Sequence, residues 1–266
     1  MTTPLASEFL IVERAGGVMK ITLNRPEVLN SFNMSMARGL RQALDEARRD
    51  DTVRAVLLTG AGRAFCAGQD LSAVNPAVDG QLDLGETVRA AYNPIIRAIR
   101  TLEKPVVCAV NGVAAGAGAN LAIACDIVMA SDTASFIQSF SKIGLVPDTG
   151  GTFFLPRTVG LPMATAMMML GEKISAQRAH EMGMIYRVCA ADALAEESMQ
   201  LAVQLAEMPT RGIGLTKRAL NSSLSNDLDQ QLDTEEDLQR QAGHTSDFVE
   251  GVAAFREKRK PIFRGQ

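Results

Sequence analysis

Near its start the chain alternates apolar and polar residues with a period of two. The alternating runs are 9–14 and 18–23, and Ala15-Gly16-Gly17 separates them. This pattern predicts a β-hairpin, because successive side chains of a strand point to opposite faces. Asn24-Arg25-Pro26 comes directly after the second run, and proline cannot continue a strand ladder, so we expect the hairpin to end there.

A helix and a strand come after the hairpin, and this unit then recurs. Met36, Leu40 and Leu44 lie at helical spacing within 34–50. The short apolar run 55–60 ends in glycine, which is typical of a strand buried on both faces. Further along, the pattern predicts a helix over 86–102, strands over 106–110 and 127–130, and a helix around 120–125. This alternation predicts the α/β class with parallel strand pairing.

The end of the chain is helical in pattern, because strand signals become rare after Ser175. The amphipathic helical segments are 192–207, 209–224, 226–242 and 247–258. We therefore predict a core over 1–200 and a C-terminal helical region over 201–266. The stretch 72–85 contains glycine and proline, and it is either a plain surface loop or a loop that orders when a ligand binds.

Composition excludes several classes of function. The 266 residues are 47% hydrophobic and 21% charged, which is ordinary for a soluble globular protein. The formal net charge is −3, so nothing in the charge balance favours nucleic acid or an anionic membrane as partner. The only histidines, His180 and His244, lack partners at ligand spacing. We therefore expect no metal site and no Ser–His–Asp triad.

The sequence also predicts a cytoplasmic protein. None of its four cysteines stands in a CxxC pair, which favours buried, reduced thiols. The first residues lack a basic segment followed by an apolar run, so no secretory signal is predicted. The uncharged stretch 105–125 is interrupted by Gly112 and Asn120, and we interpret it as a buried strand, a turn and a buried helix instead of a membrane span.

Two glycine-rich turns, at 64–71 and 111–120, each come after a predicted strand. Small residues let a ligand approach the main chain, where N–H groups can converge on an anion. Two N–H donors from separate loops are what an oxyanion hole requires. Glycines also simply permit tight turns, and the residues alone leave both interpretations open. Neither turn matches the phosphate-binding loop motif.

Asp148 is the third candidate, within the glycine-rich stretch 144–152. An aspartate there can cap the helix that is predicted to begin near Thr152, or hold its turn. Alternatively, a rigid turn can present the carboxylate to an apolar cavity, where it can move a proton. Both interpretations remain open at this level.

Several stretches together resemble one known family in their order and spacing. They are 23–26 with 30–32, 65–70, 104–112, 124–127, 144–151 and 255–259. The resemblance is to the enoyl-CoA hydratase/isomerase (crotonase) superfamily and covers essentially the whole chain. It implies a ClpP/crotonase-like spiral of repeated ββα units. It also implies C-terminal helices that build a homotrimer or a dimer of trimers.

The same resemblance implies the substrate and the residues that bind it. The substrate would be an acyl-CoA thioester, with coenzyme A as part of it and no separate cofactor. The oxyanion-hole N–H groups would belong to Gln69 and Ala117, beside Gly68 and Gly116. The residues matching the family's contacts to CoA are Arg25, Val28, Leu29, Ala67, Asp70, Leu71, Phe255 and Lys258. Lys258 can equally be part of a solvated basic tail.

Departures from the family pattern narrow the expected activity. Hydratases of the family carry two glutamates that activate water, and Asn120 and Phe140 stand at the matching positions. Neither is a general base, so water addition is not expected, and both would instead shape the acyl pocket. Asp148 matches the position from which the family's Δ3,Δ2-enoyl-CoA isomerases present their single acid.

A narrower resemblance is to the subfamily that isomerises 1,2-epoxyphenylacetyl-CoA. It rests on residues 143–152, 170–173 and 251–255. We therefore expect an isomerase that acts through an enolate. Two alternatives remain: another reaction of acyl-CoA thioesters, such as hydrolysis, C–C cleavage or dehalogenation, and a non-catalytic oligomer that binds them.

Overall fold

The computed structural model describes residues 8–72 and 83–266, so most of the loop predicted over 72–85 lies outside the described residues. The predicted hairpin is confirmed as β1 (Leu10–Ala15) and β2 (Val18–Leu23), which pair antiparallel. Gly16 and Gly17 connect them with φ angles of 57° and 77°. Two positive φ values are what the favoured two-residue hairpin turn requires.

The other strands are short and divide between two sheets. In chain order they are β3 (Ala55–Gly60), β4 (Ala64–Cys66), β5 (Val106–Val110), β6 (Val113–Ala115), β7 (Ile127–Ser131), β8 (Ser135–Ile137), β9 (Lys173–Ser175) and β10 (Arg187–Cys189). One sheet has the order β1-β2-β3-β5-β7-β10 and the other β4-β6-β8-β9. Pairing is parallel from β2 to β10 and from β4 to β8.

The strand pairs β3/β4, β5/β6 and β7/β8 confirm the predicted spiral of ββα units. In each pair the first strand joins the large sheet and the second joins the small one. The sequence pattern missed β4, β6 and β8, which it presents only as turns or connections. Three residues are too few to show a period of two, so only pairing with distant segments defines these strands.

The predicted helices occur in the predicted order, and two further helices, over 161–170 and 176–181, were not predicted from the sequence. In chain order the helices are α1 (Met34–Arg49), α2 (Leu84–Thr87), α3 (Asn93–Thr101), α4 (Ala117–Ile123), α5 (Gly151–Val159), α6 (Leu161–Leu170), α7 (Ala176–Glu181), α8 (Leu194–Glu207), α9 (Thr210–Ser222), α10 (Leu228–Gly243) and α11 (Ser246–Glu257). None of the helices in the described ranges is long and apolar enough to cross a membrane.

One predicted helix, over 86–102, is interrupted in the structure. A π-helical turn, Val88–Tyr92, separates α2 from α3. Pro94 lies just after it, in the first turn of α3. Proline has no N–H to donate to the carbonyl four residues earlier, so the ordinary helical ladder cannot run through this point. The widened turn places Tyr92 at the start of α3.

The large sheet is buried on both faces, as the apolar run 55–60 predicted. Val56 and Leu58 belong to the main hydrophobic core, whereas Ala55 and Leu57 pack in a second core against α8. Residue 200 lies inside α8, which covers β3 and β5. The division into 1–200 and 201–266 stays a prediction.

Candidate active site

The turn after β4 carries Gln69 and is held by main-chain bonds. The Phe32 N–H donates to the Gly68 carbonyl at 2.7 Å, and the Asp70 N–H donates to the Phe32 carbonyl at 2.9 Å. Phe32 and Gln69 therefore form an isolated parallel bridge. Successive N–H groups of an extended segment point to opposite sides, so the Gln69 N–H points away from Phe32.

The turn before α4 lies directly against this one. Gly116, with φ 52°, precedes Ala117, which is the first residue of α4. A Cβ atom added to Gly68 would lie 3.6 Å from the Ala117 nitrogen and 3.0 Å from the Ala115 carbonyl oxygen. Gly68 also has a φ of 97°, which only glycine adopts readily. The structure thus brings the two predicted turns into contact.

The amide N–H groups of Gln69 and Ala117 are the two donors predicted for the oxyanion hole. Within residues 8–72 and 83–266, neither N–H donates to a backbone acceptor. The first N–H groups of a helix have no intrahelical partner, and the helix dipole adds partial positive charge there. The two amides lie on touching turns, and their convergence on one oxygen atom stays a prediction.

Asp148 lies on a tight turn ahead of α5, and its carboxylate does not cap that helix. Thr149 and Gly150 adopt left-handed conformations with φ angles of 54° and 77°. The N-cap of α5 is Gly150, where no side chain accepts a hydrogen bond, so the capping interpretation is wrong. Asp148 Oδ1 accepts from Thr149 Oγ1 at 2.7 Å. Partial burial raises the pKa of the Asp148 carboxyl above its ordinary value, although the Thr149 hydrogen bond opposes this.

Asn120 fastens the Asp148 turn to the small sheet. Its Nδ2 donates to the Asp148 carbonyl at 2.8 Å, and its Oδ1 accepts from Gln138 Nε2 at 2.7 Å. The Asp148 carbonyl can only accept a hydrogen bond, so the Asn120 atom that faces it is the amide nitrogen. The Asn120 oxygen then faces Gln138, which must present its own amide nitrogen. A Cβ atom on Gly151 would overlap the Asn120 amide, so glycine is required there.

Asn120 is fully buried, and its predicted role as a wall of the acyl pocket stays a prediction. Gln138 and Thr149 are contacts that sequence reasoning missed. Gln138 directly follows β8, a strand too short to leave a pattern, so no signal pointed to it. Phe140 is buried, and its ring lies 3.7 Å from the position of a Cβ atom on Gly116. An apolar ring therefore borders the second turn.

Arg25 and Asp70, both predicted to contact CoA, are bonded to each other. Arg25 donates to Asp70 Oδ2 at 2.9 Å and to the Ser31 carbonyl at 2.6 Å. The two side chains are only 12% and 13% exposed. Ser72 and then Arg25, as hydrogen-bond donors, lower the pKa of the Asp70 carboxyl. The pair fastens the Gln69 turn, and its contact with CoA stays a prediction.

The other predicted CoA contacts fall into two groups. Val28 ends a 3-10 turn, and the Leu29 carbonyl accepts the Ala67 N–H at 3.0 Å, so these segments lie side by side. Leu71 comes after the Gln69 turn and is 48% exposed.

Phe255 and Lys258 belong to the C-terminal part of the chain. Phe255 is 85% exposed on α11, and Lys258 directly succeeds that helix with a φ of 55°. Within the described chain no backbone hydrogen bond links either residue to the Gln69 turn. Their contact with the nucleotide end of CoA stays a prediction.

Five surface cavities of the described residues lie away from these turns. They lie along α1, between α9 and α10, beside α3 and at the C-terminal tail. None of the five is lined by Asp148, Gln69 or Ala117. The candidate site is therefore defined by its turns and not by one of these cavities.

Two turns of this ββα spiral carry amides that have no main-chain acceptor within the described ranges, and a third turn carries a partly buried acid. This arrangement suits an enzyme that stabilises a developing oxyanion. Residues 13–266 match the family described as Enoyl-CoA hydratase/isomerase, and the chain belongs to this family.

Individual relatives support the assignment. A 1,2-epoxyphenylacetyl-CoA isomerase of Escherichia coli (strain K12) is 53% identical over 97% of this chain and 99% of that protein. A trans-2-decenoyl-(acyl-carrier-protein) isomerase of Streptococcus mutans is 39% identical over 94% of this chain and 95% of that protein. The crystal structure of an enoyl-CoA hydratase from Polaromonas sp. JS666 has a TM-score of 0.90 at 35% identity, covering 96% of this chain and 99% of that one. The relatives thus include isomerases and hydratases.

Proposed function

We propose that this protein isomerises acyl-CoA thioesters through an enolate. The preferred substrate is 2-(1,2-epoxy-1,2-dihydrophenyl)acetyl-CoA, and Δ3-enoyl-CoA is a second substrate that is converted to the Δ2 isomer. The observation that carries the proposal is the single partly buried carboxyl of Asp148, with Asn120 and Phe140 where a hydratase of the family has acids. The 53% identity to an isomerase supports it.

Two main-chain amides do the electrostatic work in this mechanism. The thioester oxygen receives hydrogen bonds from the Gln69 and Ala117 N–H groups as negative charge develops on it. Both donors are held by the backbone, so they need no reorganisation, and losing one such donor typically costs about 3 kcal/mol. The N-terminus of α4 adds its partial positive charge.

Asp148 moves the proton. It removes a proton from the carbon next to the thioester carbonyl and returns it to another carbon of the conjugated system. A raised pKa suits this role, because proton transfer is most efficient when the acid titrates closer to the working pH. Phe140 excludes water from the reacting carbons, and neither Phe140 nor Asn120 can activate water for addition.

The rest of the thioester occupies the contacts that the resemblance implies. The pantetheine runs along Ala67–Leu71, the adenine lies near Val28 and Leu29, and Lys258 meets the nucleotide end. We also propose a homotrimer or dimer of trimers in the cytoplasm. Exposed apolar side chains on α6, α10 and α11 support an oligomer: Leu161, Met169, Leu170, Leu228, Leu232, Phe248 and Val249.

The direct test is Asp148→Asn, assayed with a Δ3-enoyl-CoA and with the epoxide. Asparagine keeps the shape and cannot take up a proton, so we expect kcat to fall about 100-fold to 10,000-fold on both substrates. The Michaelis constant changes little, because the amides still hold the thioester. Asp192→Asn, an exposed aspartate, is the matched control and should retain full activity.

Two results would contradict the proposal. Full activity of Asp148→Asn would remove this residue from the mechanism. Faster hydration of a Δ2-enoyl-CoA than isomerisation of either substrate by the wild-type protein would favour the hydratase class, to which some relatives belong. Analysis of products from a panel of acyl-CoA thioesters separates hydrolysis, C–C cleavage and dehalogenation.

A further inference from the structure

Tyr92 combines a buried ring with a hydroxyl group that has no hydrogen-bond partner in the described part of the chain. The residue is 3% exposed and ends the π-helical turn before α3. π-helical turns inside α-helices are frequent at functional sites. The mechanism proposed for Asp148 and the two amides does not involve this residue.

Two contacts relate Tyr92 and its helix to the two halves of the candidate site. The ring meets the Phe32 ring edge-on at 5.9 Å, and Phe32 is bonded to the Gln69 turn. Ile96 stands four residues after Tyr92, on the same face of the helix. Its Cγ2 lies 3.6 Å from the position of a Cβ atom on Gly150, in the Asp148 turn. The Phe32 contact therefore places the Tyr92 ring beside the Gln69 turn, and the Ile96 contact places α3 against the Asp148 turn.

The charge environment agrees with this placement. Burial raises the pKa of the Tyr92 hydroxyl, and the nearby Asp148 carboxyl and Cys66 thiol raise it further. The hydroxyl therefore stays protonated at neutral pH. It is a hydrogen-bond donor close to Asp148.

The Tyr92 hydroxyl takes part in no hydrogen bond among residues 8–72 and 83–266, although the residue is buried. Buried tyrosines normally pair their hydroxyl. The Tyr92 hydroxyl is thus left with a hydrogen bond to offer beside the Gln69 turn.

We propose that Tyr92 determines substrate specificity by donating a hydrogen bond to an oxygen atom carried by the acyl group. The oxygen atom of an epoxide ring is such an acceptor. A plain Δ3-enoyl chain has no oxygen at this place, so it displaces water and leaves the Tyr92 hydroxyl without a partner. Sites built to bond a polar group discriminate against analogues that lack it. The inference rests on the proposed function, because it takes the acyl group to lie between the amides and Asp148.

The test is Tyr92→Phe, which removes only the hydroxyl. We compare kcat/KM for the epoxide with kcat/KM for a Δ3-enoyl-CoA. The ratio of the two should fall about tenfold, the size of one neutral hydrogen bond. A binding measurement with stable thioesters gives a second readout: the preference for 2-hydroxyphenylacetyl-CoA over phenylacetyl-CoA should also shrink in the variant.

Tyr186→Phe is the matched control, since Tyr186 is the other tyrosine of the chain and is 53% exposed. This variant should keep the wild-type ratio. An equal loss on both substrates in Tyr92→Phe would mean that the hydroxyl acts on Asp148 or on the fold, and it would overturn the inference. An unchanged ratio would overturn it as well. The Asp148→Asn variant separates the two proposals. If Asp148→Asn is inactive while Tyr92→Phe keeps the wild-type ratio of kcat/KM values, only the role of Tyr92 is rejected.

Discussion

Asp70 and Asp148 lie on two different turns of the candidate site. The surroundings of the two residues shift the pKa of the carboxyl group in opposite directions. Asp70 accepts hydrogen bonds from Ser72 and Arg25, which lower its pKa. Asp148 accepts from the Thr149 hydroxyl, and partial burial raises its pKa. The aspartate carboxyl is therefore stabilised in its charged form in the Asp70 turn and is shifted toward its neutral form in the Asp148 turn.

The difference separates a structural acid from a reactive one. A carboxylate whose charge is matched by a guanidinium holds the chain in place and resists protonation. A carboxylate with few donors around it is poised to exchange a proton. The Gln69 turn thus depends on an ion pair and main-chain bonds, whereas the Asp148 turn depends on the neutral amide of Asn120.

Three tests sharpen this comparison, and the largest expected effect among them is the loss of stability in Asp70→Asn. The introduced amide brings N–H donors toward Ser72 and Arg25, and it leaves a mostly buried guanidinium without its counter-charge. We expect the free energy of unfolding at pH 7 to fall by about 2 kcal/mol, measured by urea denaturation. Asp237→Asn breaks an exposed pair with Arg240 and should cost under about 1 kcal/mol.

The pH dependence of the Asp70 effect has a defined sign. The pKa of Asp70 is lower in the folded chain than in the unfolded one, so its contribution is complete above the unfolded value. It disappears as the pH falls through the folded value. The gap between wild type and Asp70→Asn should therefore narrow only below about pH 4. A gap that is independent of pH would show that the charge of Asp70 is not what stabilises the turn.

The second effect is on turnover, in Asn120→Ala. This change removes the donor to the Asp148 carbonyl and leaves Gln138 Nε2 unpaired. We expect kcat to fall about tenfold because the carboxyl loses its fixed position. The Michaelis constant should change little, since the Gln69 turn is held independently. Asn226→Ala, between α9 and α10, is the control. A rise in the Michaelis constant at constant kcat would instead assign Asn120 to substrate binding.

The smallest effect has the opposite sign to the first. Asp148→Asn should raise the free energy of unfolding at pH 7 by up to about 1 kcal/mol, because it removes a partly buried charge. A carboxyl whose pKa is higher in the folded chain than in the unfolded chain stabilises the fold below its unfolded pKa. That stabilisation is lost as the pH rises through the folded pKa. The gain should therefore shrink as the pH is lowered toward 4, near the unfolded pKa. Destabilisation at pH 7 would mean that the carboxylate is bonded more strongly than its surroundings show.

The order of the elements and the candidate acid could be predicted from the sequence, because both leave local signals. Alternation identified the hairpin, helical spacing identified α1, and the glycine after Asp148 marked its turn. A few apolar or glycine residues in a row are enough to show such features. The capping interpretation of Asp148 failed because a helix cap depends on the direction of one side chain, which spacing does not report.

Only the tertiary structure decided which of these local features meet. The contact between Gly68 and Ala117 needs β4 and β6 to pair, and each strand is too short to be recognised alone. Arg25 reaches Asp70 across 45 positions of the chain. Tyr92 and Gln138 carry no distinctive neighbours in the sequence at all. Long-range packing selects these contacts, because bringing distant segments together costs chain entropy that no short stretch of residues reveals.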